Sequence, residues 1–284
     1  MSYETPLSAP ESAPDIADRG VTNPQPQRPV APVRNNRFFP RKITAELVLK
    51  AFNTRAFKRE KPDNPDLMLN IIDDALKANA PVPFVFYWGK GPRPFFGAPE
   101  LQCLDYINAM MERIRQLYPT GVDVTLIFTD THAALNGHKR EAIYSYYAEL
   151  TAHAATKGFK TELLSALIDK IDLPLQADAA QAQVPSYLMT TLRDCAAKWF
   201  RGEGTVEDGA TRYYRANMIE RKVVELIYPR AIFVSFNGSE MRDIFPEHLP
   251  VFYMFSIHHG ISDKPWFLPS EPIPATGQGG IVMG

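Results

Sequence analysis

The chain has 284 residues, 45% hydrophobic and 22% charged, with a formal net charge of −1. That is a globular composition with room for a sizeable core, and the balanced charge excludes a protein that attracts nucleic acid through its overall field. The two cysteines, Cys103 and Cys195, are too far apart for a zinc spacing and too few for a disulfide framework, and no apolar run approaches the ~18–20 residues of a membrane span.

The opening residues lack the basic-then-apolar order of a signal peptide, so a cytoplasmic home is expected. Residues 1–36 hold seven of the 25 prolines and almost no apolar periodicity. They predict a disordered or extended lead, or a tail that docks on a partner subunit. Residues 44–52 and 67–78 read as helices, with Val48, Leu49 and Phe52, then Leu69, Ile72 and Leu76, near one face. Residues 82–88 are a compact aromatic and β-branched run, a buried strand. Leu101, Leu104, Ile107, Met110, Met111, Ile114 and Leu117 recur at helical spacing, so 100–117 is the clearest helix, ended by Tyr118-Pro119-Thr120-Gly121. A second strand is expected at 122–128 and a second long helix at 139–155.

Residues 173–185, rich in Ala and Gln, read as a linker. Helices follow at 187–201, with Leu188, Leu192, Cys195 and Trp199 on one stripe, and at 213–228, with Ile219, Val223, Leu226 and Ile227 buried. Strands are expected at 231–236 and 251–257, and residues 271–284 as a flexible tail. Strand and helix alternate, which implies parallel strands with helical crossovers. The expectation is one α/β domain over 37–270, a Rossmann-like and mostly parallel sheet, with a helical insertion near 160–210.

Ligands of open parallel sheets sit beyond the carboxyl ends of the strands, and that rule nominates three loops. The first, after Trp88, carries Lys90 and Arg93 among glycines and prolines. Two cations there suit a phosphate or carboxylate, though a basic surface loop has the same composition. The second runs Thr129-Asp130-Thr131-His132, then Asn136-Gly137-His138. Asp130 is placed to contact a hydroxyl or an amine. With His132 and His138 it imitates a metal site, and turn chemistry alone collects the same residues. The third, Ser256-Ile257-His258-His259-Gly260-Ile261-Ser262-Asp263-Lys264, follows an apolar run. His258 titrates near neutrality and suits general acid–base work, and Lys264 suits a phosphate or an imine. A buried structural His and a solvated Lys are the alternative. Arg212, Arg215, Arg221 and Lys222 read as a solvated helix face, or as one cation reaching the site.

Together these segments resemble the isonitrile (isocyanide) synthases, grouped with the pyoverdine and dityrosine biosynthesis proteins. Phe255-Ser256-Ile257-His258 with Lys264 is similar to that family's arginine-leucine-Ser-Ile-His strand and following Lys. Pro81 to Phe86, then Lys90 and Gly97-Ala98-Pro99-Glu100, resembles its apolar strand, lysine-bearing loop and Pro-x-x-Glu segment. Tyr118 to Thr125 followed by Asp130 resembles its Tyr-Pro-Pro-Gly step and Ser-Asp-Gly strand end, and Met218-Ile219-Glu220-Arg221 resembles a Met-x-x-Arg on a late helix. The resemblance covers roughly residues 45–269. The chain departs from it at Gly97-Ala98-Pro99-Glu100, where the family writes Asp-x-Gly-Glu, and at Thr131, where it has Gly. It departs again at Ala133-Ala134-Leu135, at Met254, and through an insert at 237–249.

The resemblance implies a Rossmann-like enzyme that condenses an amino acid's amine with the ketone of ribulose 5-phosphate. Fragmentation then leaves one sugar carbon on nitrogen as an isonitrile. Ribulose 5-phosphate is a co-substrate, and no metal or redox cofactor is implied. The residues carried over are His258, Lys264 and Asp130 as catalytic groups, and Lys90, Arg93, Glu100, Ser256 and Arg221 as contacts to substrate or phosphate. Tyr87, Trp88, Phe95 and Phe96 would wall an apolar pocket. Partners are then small molecules, with neither nucleic acid nor membrane, and with room for a homo-oligomer or a pathway partner. The alternatives are a divergent enzyme of the same fold acting on another small anionic substrate, a non-catalytic partner subunit, and a metal enzyme built on Asp130, His132 and His138.

Overall fold

The computed structural model describes residues 42–89, 95–171, 181–255 and 264–265, all within the compact unit Lys42–Gly284. The expected lead at 1–36, the tail at 271–284 and much of the expected linker lie outside the described residues. Strands β1 (Val82–Trp88), β2 (Val122–Phe128), β3 (Lys160–Leu163), β4 (Ile232–Ser235) and β5 (Val251–Tyr253) form one sheet in the order β3-β2-β1-β4-β5. Every pairing is parallel, with Val82 opposite Val122, Phe84 opposite Ile232, Thr125 opposite Lys160 and Phe233 opposite Val251. The order reverses between β1 and β4, as in a doubly wound sheet, so a crevice opens at their carboxyl ends.

Alternation along the strands builds two cores. Phe84, Phe86 and Trp88 of β1, with Val124, Leu126 and Phe128 of β2, face one side. There they meet α1 (Ala45–Phe52), α2 (Pro65–Ala78), α3 (Ala98–Leu117) and α5 (Arg140–Ala155). Val85, Ile127 and Phe233 face the other side, against α6 (Leu164–Ile168), α7 (Ser186–Trp199) and α8 (Val206–Ile227). Each fully buried Leu or Phe of these cores contributes about 1.5–3 kcal/mol. Among the described residues, no helix is long and apolar enough to cross a membrane.

The Tyr118-Pro119-Thr120-Gly121 step has a clear local logic. Tyr118 Oη donates to the carbonyls of Ala80 at 2.8 Å and Ala75 at 3.2 Å. Thr120 Oγ1 donates to Asn79 Oδ1 at 2.9 Å. Gly121 takes φ +77°, a left-handed turn that a side chain would strain, and its carbonyl accepts the Val82 N–H. This turn therefore fixes the end of α2 and the starts of β1 and β2 together. At the opposite edge, residues 57–63 run antiparallel along β5. Lys58 pairs with Met254 and Asp63 with Val251, and Arg242 Nε meets Asp63 Oδ2. That strap covers an edge that would otherwise expose unpaired backbone groups.

Several expected boundaries change. Residues 160–163, placed at the start of a helical insertion, form β3. Lys-Thr-Glu-Leu gives no apolar signal because β3 is a short, half-exposed edge strand. The stretch after Phe128 is not a loop: Asp130–Leu135 forms a short helix, α4. The late helix begins at Val206 rather than 213. Its N-cap Thr205 and Asp208 form a capping box, Thr205 Oγ1 accepting from Asp208 N at 3.2 Å and Asp208 Oδ2 from Thr205 N at 2.7 Å. Gly209 inside that first turn obscures the helix in the sequence, and its missing side chain lets the Phe200 ring approach. Residues 239–244, within the insert, form a 3₁₀ helix.

Candidate active site at the carboxyl ends of the strands

Because all strands are parallel, the segments after β1, β2 and β5 leave the sheet at the same edge. Lys90, Arg93, Ser256 and His258 lie just beyond those exits in sequence and outside the described residues. Glu100, Asp130, Arg221 and Lys264 are described, and the structure distributes them over three places.

Glu100 lies on the first face, wholly buried at the third position of α3. Its Oε2 accepts the Gly97 N–H at 3.0 Å, which anchors the helix start. Its Oε1 accepts from Tyr146 Oη at 3.2 Å, and Tyr146 Oη in turn accepts from Trp88 Nε1 at 3.2 Å. Burial, reinforced by the charge of Glu100, raises the Tyr146 pKa well above its ordinary value, so this hydroxyl stays a donor. Trp88 closes the chain: its carbonyl accepts Thr129 N at 2.9 Å and Thr129 Oγ1 at 3.3 Å. One polar relay thus ties the exits of β1 and β2 to the start of α3. Phe96 stacks on His153 at 4.9 Å nearby, and Phe236 meets the Trp88 ring edge-on at 6.4 Å. Of the four aromatics expected to wall one pocket, Trp88 and Phe96 are buried in this core, whereas Tyr87 faces the other side of the sheet.

Asp130 opens α4 and is nearly buried, at 8% exposure. Both of its oxygens accept from Ser165, Oδ1 from the backbone N–H at 3.0 Å and Oδ2 from the hydroxyl. It therefore caps α6 from a distance, where a carboxylate suits the positive end of a helix. His132, two residues on, faces Glu220 of α8, a carboxylate only 1% exposed. Nε2 lies 3.1 Å from Glu220 Oε2. The contact is an ion pair in which Nε2 makes no hydrogen bond of good geometry. Thr131 Oγ1 donates to Glu220 Oε1 at 2.6 Å. The His132 ring stacks on Tyr213 at 5.6 Å, and Tyr213 Oη meets Asn136 Oδ1. Burial alone would lower the His132 pKa, but Glu220 more than offsets it and leaves the pKa above its ordinary value near 6.5.

Lys264 is half-buried, and its charge reaches Cys195 on α7. The Cys195 thiol is nevertheless raised, because burial outweighs that charge. Cys195 acts in turn on Tyr213 of α8. Arg221 points away from this group. Its guanidinium donates to the Asp243 carbonyl at 3.0 Å and pairs with Glu247 Oε2 at 3.2 Å. Together with Glu225, which accepts from the backbone N–H groups of Glu247 and His248, it clamps the insert onto α8. Asp130 is engaged by Ser165 and His132 by Glu220. Among the described residues, no group of three or more His, Cys, Asp or Glu is arranged to hold a metal ion.

Glu220 is the main residue the sequence reading passed over. Tyr213, Asn217, Glu220 and Val224 recur at helical spacing and are all buried. Two polar residues on that inward stripe were the available signal. The second face thus offers a fixed carboxylate and a histidine–carboxylate pair, groups able to bind polar substrate atoms and hold or move protons.

These features define a doubly wound α/β protein with a buried polar relay on one face of its sheet and a histidine–carboxylate pair on the other. No protein-family model matches the sequence, and no curated protein does. Solved structures do. The PvcA protein from Pseudomonas aeruginosa is similar over 78% of this chain and 87% of its own, at 18% identity and a TM-score of 0.57. Tyrosyl-tRNA synthetase complexed with L-tyrosine from Pyrococcus horikoshii aligns over 71% of this chain and 52% of its own, at 12% identity and a TM-score of 0.47. The enzyme from Archaeoglobus fulgidus aligns over 74% and 63%, at 14% identity and 0.48. At these identities the likeness is one of fold, and the fold is that of PvcA.

Proposed function

We propose that the chain is an isonitrile-synthase-like enzyme that joins the amine of an amino acid to the C2 carbon of ribulose 5-phosphate. One observation carries the reading: parallel β1, β2 and β5 end at a single edge of the sheet, and the segments that follow them in sequence bear Lys90 and Arg93, Asp130, and Ser256 to Lys264. Those are the segments that resemble the family, and the PvcA-like fold agrees with them. In this reading Lys90 and Arg93 hold the phosphate with Ser256. His258 moves protons during imine formation and fragmentation, and Lys264 serves as the second cation of the reacting centre. Asp130 takes a sugar hydroxyl or the amine. Glu100 sets the start of α3 and the β1 exit, and Arg221 holds the late insert in place.

A second reading is favoured by Thr131 and His132. Both are committed to Glu220, at the position where the family has Gly after the strand-end Asp. A same-fold enzyme acting on a different small anionic substrate would be built this way.

The test is mass spectrometry of a reaction holding the full chain, ribulose 5-phosphate labelled with carbon-13 at C2, and a pool of amino acids. A product carrying the label on nitrogen is expected and would identify the amino acid. Binding of ribulose 5-phosphate, seen as a rise in Tm, with no labelled product would transfer the assignment to the second reading.

A further inference from the structure

Tyr87 lies on the second face of β1, edge-on to Phe233 at 4.9 Å. Its Oη is shielded from solvent and has no hydrogen-bond partner. Phenylalanine would fill the same volume without stranding a hydroxyl. Native proteins leave few such groups, and each calls for an explanation. His132 Nε2 is a second enclosed atom without a hydrogen bond. The two belong to the exits of neighbouring, paired strands, Tyr87 packed in the second core and His132 paired with Glu220 of α8. Neither side chain is sealed. Tyr87 is only half-buried, and the His132 side chain keeps 24% of its surface.

We infer that Tyr87 and His132 form a subsite for an uncharged hydroxyl group of a small molecule, on the second face at the carboxyl ends of β1 and β2. Charge selects the guest. His132 and Glu220 already balance each other, so an anion or a cation would leave an unpaired charge in a poorly solvated place. A hydroxyl adds none. It can accept from Tyr87 Oη or His132 Nε2–H and can donate in return. The source of the hydroxyl rests on the isonitrile-synthase reading: it is either the side chain of the amino acid or the sugar of the phosphosugar.

The experiment compares the full-length wild type with Tyr87→Phe by thermal denaturation and calorimetric titration. Free Tyr87→Phe should melt no lower than wild type, because the hydroxyl has no internal partner to lose. A clearly lower Tm would overturn the proposal. The titration probes are phenol against benzene, tyrosine against phenylalanine, and ribulose 5-phosphate against inorganic phosphate. Wild type should prefer the hydroxylated member of at least one pair by about tenfold or more, since a site built for a hydroxyl rejects its absence. The preference should collapse in Tyr87→Phe. Collapse for tyrosine assigns the amino-acid side chain, and collapse for ribulose 5-phosphate assigns the sugar. Collapse for phenol alone keeps the subsite and removes the isonitrile reading. If wild type binds none of the probes, or both proteins bind every pair alike, there is no such subsite.

Discussion

Replacing Glu220 with Gln is the sharpest test of how the second face is held together. The substitution keeps the shape and leaves an oxygen to accept from Thr131 Oγ1, now 2.6 Å away. It removes the charge that faces His132 Nε2 at 3.1 Å. Breaking a buried ion pair from one side costs about 3–5 kcal/mol. The retained hydrogen bond returns about 1 kcal/mol, and the partly open His132 side chain allows some solvent screening. The expected loss is therefore ~2–4 kcal/mol in acidic-to-neutral solution, or roughly 5–15 °C in Tm for a domain of this size.

The pH dependence gives the loss a signature. His132 has a raised pKa in the folded protein. Its contribution to stability is complete below its unfolded pKa near 6.5 and disappears as pH rises through the higher folded value. Urea denaturation from pH 6 to pH 9 should show wild type losing this increment across that window, while Glu220→Gln starts lower and lacks the slope. A cycle with His132→Phe, which preserves the stack on Tyr213, should give a coupling energy that shrinks with rising pH. Equal stability of wild type and Glu220→Gln at pH 6, within ~0.5 kcal/mol, with parallel pH profiles, would refute the charged pair.

Tyr118→Phe removes both hydrogen bonds to the carbonyls of Ala75 and Ala80; chemical denaturation should show a loss of about 1–2 kcal/mol with an unchanged m-value. Gly209→Val would place a Cβ 2.7 Å from the Phe200 ring, and the overpacking should lower stability by about 1–3 kcal/mol, measured the same way. Lys264→Ala should abolish turnover in the labelled-substrate assay while leaving circular dichroism and Tm close to wild type, and His258→Ala should do the same; wild-type turnover in either variant removes that residue from the mechanism.

The fold was legible wherever burial imposes a period. The apolar spacing from Leu101 to Leu117 and the run from Val82 to Trp88 mark α3 and β1 because both elements are pressed against a core on one or both sides. The same logic fails at β3. An edge strand of Lys, Thr, Glu and Leu buries too little to leave a pattern, and only its pairing with Thr125–Phe128 makes it a strand. The start of α8 was hidden for a different reason. Its signal is the polar capping box at Thr205 and Asp208, and the apolar stripe begins a turn later.

The site divides along the same line. Asp130 stands out in the sequence as a carboxylate just past a strand, but the Ser165 that fixes it is 35 residues away. The partner of Thr131, Glu220, is 89 residues away. A strand-end position is a property of topology and can be read from alternation, whereas a pairing is a property of how two faces close. That is why the sequence can nominate one edge of the sheet and leaves open which carboxylate meets which donor. In the proposed subsite, specificity would rest on residues such as Tyr87, whose hydroxyl the closed fold leaves without a hydrogen-bond partner.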